Sequence, residues 1–390
     1  MNEDKYGTLK NSIDKATLLS ALVYSMGACS GYSLFSCAII AVFAAVVDII
    51  KPGASLLPLF LSFAVILEAL NYLGIGGAVI SMVLAGAIVL ITGRFEAVRK
   101  GINSPAFMPA VMIACALTIT VLVTTDYFGI GATGRDVVDM MKHYRSLGFH
   151  PNWRGILYGT IVMVVMITFP RKFKKGAKVV SPMLIALVFT YLLNLVLVPK
   201  GAVLTFTLVE RPEFVINSLK DAVNLGNYGI KSFLYILLFA LGEAVTFIMS
   251  ISGEEYDGKQ VRYSGTAGLV MPALFGFTLP GKVAKTGEEM LPGLLSAILT
   301  SAIIIPSILI TGQPLASCAV VLIVGAWQQV EWGKLKGAFS SFASALIFLA
   351  IIAVSLLTNI ALGCAAGLIA CSVSEKVKKH KTSANPAEKA

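Results

Sequence analysis

Charge is scarce in this chain, and so are the residues on which soluble catalysis leans. Asp, Glu, Lys and Arg make up 13% of its 390 residues, and the three histidines, His143, His150 and His380, all lie outside the apolar runs. No HExxH, GxSxG, phosphate-binding loop or dinucleotide fingerprint occurs in the context that would give it meaning, so nothing supports an enzyme. Without a nucleotide motif, any transport must run on gradients. The six cysteines, Cys29, Cys37, Cys115, Cys318, Cys364 and Cys371, show no CxxC spacing and no neighbouring histidine. They read as small apolar packing residues, not as a metal or disulfide framework, and no metal or cofactor is expected. Long polar segments are missing too. Residues 1–15 lack the basic and apolar regions of a signal peptide and are expected to stay as a cytoplasmic N-terminus, and 374–390 reads as a basic cytoplasmic tail.

What the chain has instead is apolar length. Hydrophobic residues make up 57% of it, in runs such as Ile102–Thr124, Trp153–Phe169 and Ala338–Leu357. At about 1.5 Å per residue each can cross a hydrocarbon layer of about 30 Å. The expected fold class is therefore an all-α polytopic membrane protein. Breaks at Gly, Pro and charge delimit about fourteen segments: 16–29, 31–49, 54–71, 74–93, 104–128, 153–170, 179–199, 230–252, 262–277, 283–296, 297–311, 314–330, 338–355 and 357–373. An even number puts both termini on one side. With that side cytoplasmic, the inside loops and termini carry twenty Lys and Arg and the outside loops eight, the asymmetry expected for loops held inside by their basic residues. The net charge of +10 is spread over these loops and the two ends, so nucleic acid is not an expected partner. The lipid bilayer is, and the expected location is the cell membrane.

The connection 200–229 divides the membrane region, 16–373, into halves of about seven segments, 16–199 and 230–373. Each half has an interrupted stretch at the opening of its third segment: Lys51-Pro52-Gly53-Ala54-Ser55-Leu56-Leu57-Pro58 in the first and Phe275-Gly276-Phe277-Thr278-Leu279-Pro280-Gly281-Lys282 in the second. Paired breaks in corresponding positions point to an inverted-repeat secondary transporter with its binding site between them. Helices restarting there would aim free N–H groups and positive dipole ends at one volume, a site suited to an anion. Its candidate binding residues are Ala54, Ser55 and Leu56 at the first restart and Lys282, Val283, Lys285 and Thr286 at the second. The competing reading is two packed helices merely kinked by Pro and Gly.

Glu243 sits among the apolar turns of Phe233–Ser250. A carboxylate there is costly unless paired, hydrated or protonated, which makes it the candidate coupling residue, against the alternative of a structural ion pair. Glu68, near the end of its segment beside Asn71 and Gly74, is expected at the interface. Tyr24 and Ser25 occupy the first segment, the counterpart of the one carrying Glu243, and are candidate cavity-lining residues or ordinary packing residues. Asn103-Ser104-Pro105 reads as a helix N-cap with Pro in the first turn.

Several stretches together resemble the SulP family of sulfate permeases and inorganic anion transporters, over about 14–373. Gln313-Pro314-Leu315-Ala316 leading to Gln329-Val330-Glu331-Trp332-Gly333-Lys334-Leu335 is similar to the family's pattern late in its second half. Ser104-Pro105 and Phe128-Gly129-Ile130-Gly131 bracket a segment like its fifth. Leu357-Thr358 through Gly363 and Gly367 is similar to its last helices. Leu241-Gly242-Glu243 falls where its eighth segment carries an acidic residue, and Phe275-Gly276 before Pro280 where its tenth begins. The resemblance implies fourteen segments in a seven-plus-seven inverted repeat, a core domain moving against a gate domain, and an anion held between the third and tenth helix N-termini. Gly281-Lys282-Val283-Ala284-Lys285-Thr286 departs from the family's Ser- and Arg-bearing stretch, and the usual C-terminal STAS domain is expected to be missing. The expected function is secondary transport of sulfate, bicarbonate, chloride or a carboxylate by alternating access, coupled to protons, sodium or anion exchange. The alternative is a nucleobase or aromatic-acid proton symporter of the same architecture; a homodimer is left open.

Overall fold

In the computed structural model the described residues are 3–30, 41–42, 60–93, 95–173, 180–197, 229–251, 262, 265–266, 268–270, 272, 295, 298–305 and 313–384. Among them the regular elements are helices. They run α1 Glu3–Ser30, α2 Phe60–Thr92, α3 Glu96–Ile102, α4 Phe107–Phe128, α5 Val137–Leu147, α6 Trp153–Lys172, α7 Pro182–Leu197, α8 Ile230–Ile251, α9 Leu315–Gln328, α10 Leu335–Ala338, α11 Phe342–Leu357 and α12 Ile360–Ala384.

Local chemistry explains where these helices begin and break. α2 covers two expected segments, and the break between them is Gly74, at φ 69° and ψ −178°, a backbone region that is essentially glycine-only. Ser104 Oγ accepts the Phe107 N–H at 3.1 Å in the turn that leads through Pro105 and Ala106 into α4. α5 is capped by Asp136, α6 by Asn152 and α11 by Ser341, each side chain accepting N–H groups of the first turn. α1 starts at Glu3, so the polar N-terminal residues continue the first apolar segment as helix.

Among the described residues four stretches, Ser62–Thr92, Phe107–Phe128, Trp153–Lys172 and Ile230–Met249, are long and apolar enough to cross a bilayer. Leu315–Gln328 and Trp332–Ala338, bent by 41°, form a fifth if taken as one span. The chain is a multi-pass membrane protein. Its outward surface agrees: Leu157, Val164, Leu192, Leu195, Val196, Phe342, Leu346 and Leu349, on α6, α7 and α11, all stand open. In water such a surface would drive aggregation, whereas in lipid it is solvated.

Packing falls into two sets. α2 lies along α8 and also touches α4, while α4 lies against α9 and α11, with α6 packed on both α9 and α4. α1 joins the second set through α9 and α7, and α12 touches α11, α8 and α4. α8 meets α12 closely at Gly242, where an added Cβ would stand 2.8 Å from Ala361 Cβ. Small residues at such a crossing let two helix backbones approach, the main source of packing energy where lipid removes the hydrophobic drive.

Candidate functional site

Two fully buried carboxylates stand among the described residues, Glu68 on α2 and Glu243 on α8. Glu243 is fully buried one residue after the α8–α12 crossing. Its Oε1 lies 3.0 Å from Ser81 Oγ on α2, and Ser81 Oγ is also 2.8 Å from the Ala78 carbonyl. One hydroxyl proton can serve only one of these acceptors at a time. One turn on, the Ser62 hydroxyl donates to Thr246 Oγ1 at 2.9 Å, and Thr246 donates to the Glu243 carbonyl at 2.8 Å. The second carboxylate oxygen of Glu243 has no hydrogen-bond partner among the described residues. Among the described residues no Lys, Arg or His forms an ion pair with it.

Glu68 is also fully buried within the protein. Its Oε2 accepts the Ile360 N–H at 2.8 Å, at the first turn of α12. A helix N-terminus carries partial positive charge and free donors, so the fold gives this carboxylate a partial countercharge that no described helix end gives Glu243. Sequence reasoning missed this because the partner is almost three hundred residues away along the chain.

A cavity of about 800 Å³ lies between the end of α1, α2, the end of α4 and the loop bearing α5. Cys29, Ser30, Asn71, Thr125 and Asp126 line its walls, with Arg135, Asp139, Lys142 and His143 on the loop. Arg135 Nε donates to Asp139 Oδ2 at 3.1 Å, and the neighbouring carboxylate holds the guanidinium pKa above its usual range. The mixture of hydroxyl, amide and charged groups can be solvated by water and polar solutes, as no lipid-facing surface can.

Of the candidate residues, Ala54, Ser55, Leu56, Lys282, Val283, Lys285 and Thr286 lie outside the described residues. Tyr24 and Ser25 are buried on α1. Tyr24 borders a small cavity of about 70 Å³ with Ser20, Leu187, Tyr191 and Gln313, and Ser25 lies against the Cys318 thiol of α9. Glu243 sits in the α2–α8 interface instead. Ser81, Tyr72 and Asp126 were not singled out from the sequence; the polar–apolar alternation around them carries no signal that separates a site from a packing face.

No family model matches the chain, and no curated protein matches its sequence. Solved structures do match in fold. The transmembrane domain of BicA, a cyanobacterial bicarbonate transporter, superposes with a TM-score of 0.60 at 18% identity, covering 95% of this chain and 98% of that domain. The chain has the fold of that transmembrane domain. SLC26A9 gives a TM-score of 0.61 at 12% identity over 97% of this chain and 66% of that one. The murine Slc26a9 anion transporter in its inward-facing state gives 0.61 at 11% identity, over 97% of this chain and 69% of its own. The chain thus spans about two-thirds of the length of these two SLC26A9 chains. At such identities the likeness establishes the fold, and the cargo has to be argued from the residues.

Proposed function

We propose that this protein is a secondary transporter of a small anion, working by alternating access. The observation that carries this reading is the near end-to-end agreement, over 95% of this chain and 98% of the other, with the membrane domain of a bicarbonate transporter. The interrupted stretches at Ala54–Leu56 and Lys282–Thr286 support it, because restarting helices would present N–H groups and two lysines to one anion. Bicarbonate, sulfate, chloride and small carboxylates are the substrate class, and Tyr24 and Ser25 are assigned to the path along α1.

Glu243 is assigned to coupling. Buried and ionised without a full countercharge, a carboxylate costs several kcal/mol, so a proton or sodium ion bound there would set when the α2–α8 pair can move. The site would then be occupied and neutral in one half of the cycle and exchange its ion with water in the other. The test is uptake of labelled bicarbonate, sulfate and chloride into proteoliposomes holding the purified protein. Saturable uptake with counterflow supports a carrier of the anion that produces it. Flux that rises linearly without counterflow would mean a channel, and thermal stabilisation by uracil or xanthine alone would replace the anion with a nucleobase.

A further inference from the structure

Two side chains one turn apart on α2 leave it to hold the beginnings of two other helices. Glu68 Oε2 accepts the Ile360 N–H at 2.8 Å, beside Asn359, whose Oδ1 caps the same helix by accepting the Leu362 N–H at 2.8 Å. Four residues on, the Tyr72 hydroxyl donates to Asp136 Oδ2, while Oδ1 of that carboxylate caps α5 by accepting the Asp139 N–H at 2.8 Å. Residues four apart share one face of a helix, so both bonds leave α2 on the same side. Arg135 backs the second bond, its guanidinium carbon 5.8 Å from the centre of the Tyr72 ring.

The other face of the Tyr72 environment belongs to α8. Tyr235 and Phe239 pack on the Tyr72 ring with centroids 5.1 and 5.6 Å away. Tyr72 is therefore fixed to the α2–α8 pair by its ring and to the α5 loop by its hydroxyl. Two residues later comes the Gly74 break, so the attachment sits where α2 changes direction. The same loop supplies Arg135, Asp139, Lys142 and His143 to the large cavity, and Asn71 beside Tyr72 lines it as well.

We propose that Glu68 and Tyr72 are positioning residues of the transport cycle, forming a two-point clasp that fastens the α2–α8 pair to α12 and to the α5 loop. The proposal rests on the transport reading for its purpose: if the α2–α8 pair moves against the other helices, both bonds have to part, and their strength sets how much of the protein occupies the arrangement seen here. The two bonds differ in kind. The Glu68 bond joins a carboxylate to a helix end, whereas the Tyr72 bond is a single hydroxyl on a cap residue. Tyr72→Phe removes that hydroxyl while keeping the ring packing, and Glu68→Gln keeps an acceptor of the same shape while removing the charge.

Cys29 provides the readout. It is half-buried at the end of α1 and lines the cavity, so its rate of modification by a membrane-impermeant maleimide reports how freely the α5 loop swings away. The measurement uses the full chain in detergent with Cys37, Cys115, Cys318, Cys364 and Cys371 replaced by Ala. Tyr72→Phe should speed labelling by about threefold or more, the population shift expected when one net hydrogen bond is lost. Asp136→Asn added to Tyr72→Phe should speed it little further, since the hydroxyl that Asp136 held is already gone and Asn can still cap α5, while Glu68→Gln added to Tyr72→Phe should exceed either alone. Unchanged labelling in folded Tyr72→Phe and Glu68→Gln proteins would overturn the clasp. So would faster labelling that tracks a loss of thermal stability and is reproduced by a destabilising change remote from α2. Labelling and transport fail separately: a protein that moves no solute removes the purpose, whereas unchanged labelling in a protein that transports normally removes the clasp alone.

Discussion

Glu243 and Glu68 are both wholly enclosed, but their surroundings ask different things of them. Glu68 has the start of α12 for a partial countercharge, whereas Glu243 has one shared hydroxyl from Ser81; in each, the second oxygen has no hydrogen-bond partner among the described residues. Glu243→Gln should mimic the occupied, neutral state, with the protein folding and anion exchange persisting while accumulation driven by a proton or sodium gradient disappears. Proteoliposomes that compare exchange with driven uptake decide this, and driven uptake at the normal rate in a well-folded variant removes Glu243 from coupling. Ser81→Ala should be milder, lowering apparent affinity for the coupling ion several-fold, as loss of about 1 kcal/mol of hydrogen bonding would. The singular position of Glu243 was legible in the sequence, because a carboxylate amid long apolar turns stands out there. The role of Glu68 was not, because what neutralises it is a backbone N–H at Ile360, and a backbone donor leaves no trace in residue identity.

Element boundaries were legible wherever local chemistry sets them. Gly74 marks the junction between two expected segments and is also where the backbone leaves the helix. Ser104 and Pro105 announce α4, and Asn152 stands just before Trp153 at the start of α6. Which face of a helix meets which neighbour was not legible, since α2 and α8 are apolar nearly all round and offer no polar stripe to orient them. Two glycine replacements separate the forces at work. Gly74→Ala meets no atom within 4 Å, so its cost is purely conformational, of the order of 1–3 kcal/mol for a non-glycine residue held there. Gly242→Ala imposes no backbone strain but sets a methyl 2.8 Å from Ala361 Cβ, which would force α8 from α12 at a cost of about 1–3 kcal/mol. Thermal unfolding in detergent should show both as destabilised. Only Gly242→Ala should also weaken coupling, because it moves the turn that carries Glu243.

For the whole molecule, agreement with a bicarbonate transporter's membrane domain runs almost from end to end while identity stays at 18%. A membrane fold tolerates such divergence because most of its surface needs only to be apolar, and the apolar residues exposed on α6, α7 and α11 could be exchanged for one another at little cost. Residues that meet the cargo lack that freedom. Lys282 and Lys285 changed together to Gln should weaken anion binding while leaving the protein extractable and folded. A thermal-shift titration with bicarbonate, sulfate and chloride measures this, and an unaltered response excludes the lysines from the site. The bend between α9 and the helical turns that follow it carries one more consequence. Trp327 and Trp332 stack across it with ring centres 5.9 Å apart and planes 11° from parallel, and the Trp327 N–H is tied to Thr120 of α4 at 3.0 Å. The only other tryptophan, Trp153, stands 76% exposed at the head of α6. Two parallel indoles so close couple their ultraviolet transitions, whereas the third emits alone from an exposed position at the start of its helix. The chain therefore carries its own optical gauge: a circular-dichroism couplet that follows the angle of that bend and should vanish in Trp332→Phe, beside an emission that Trp153→Phe alone removes.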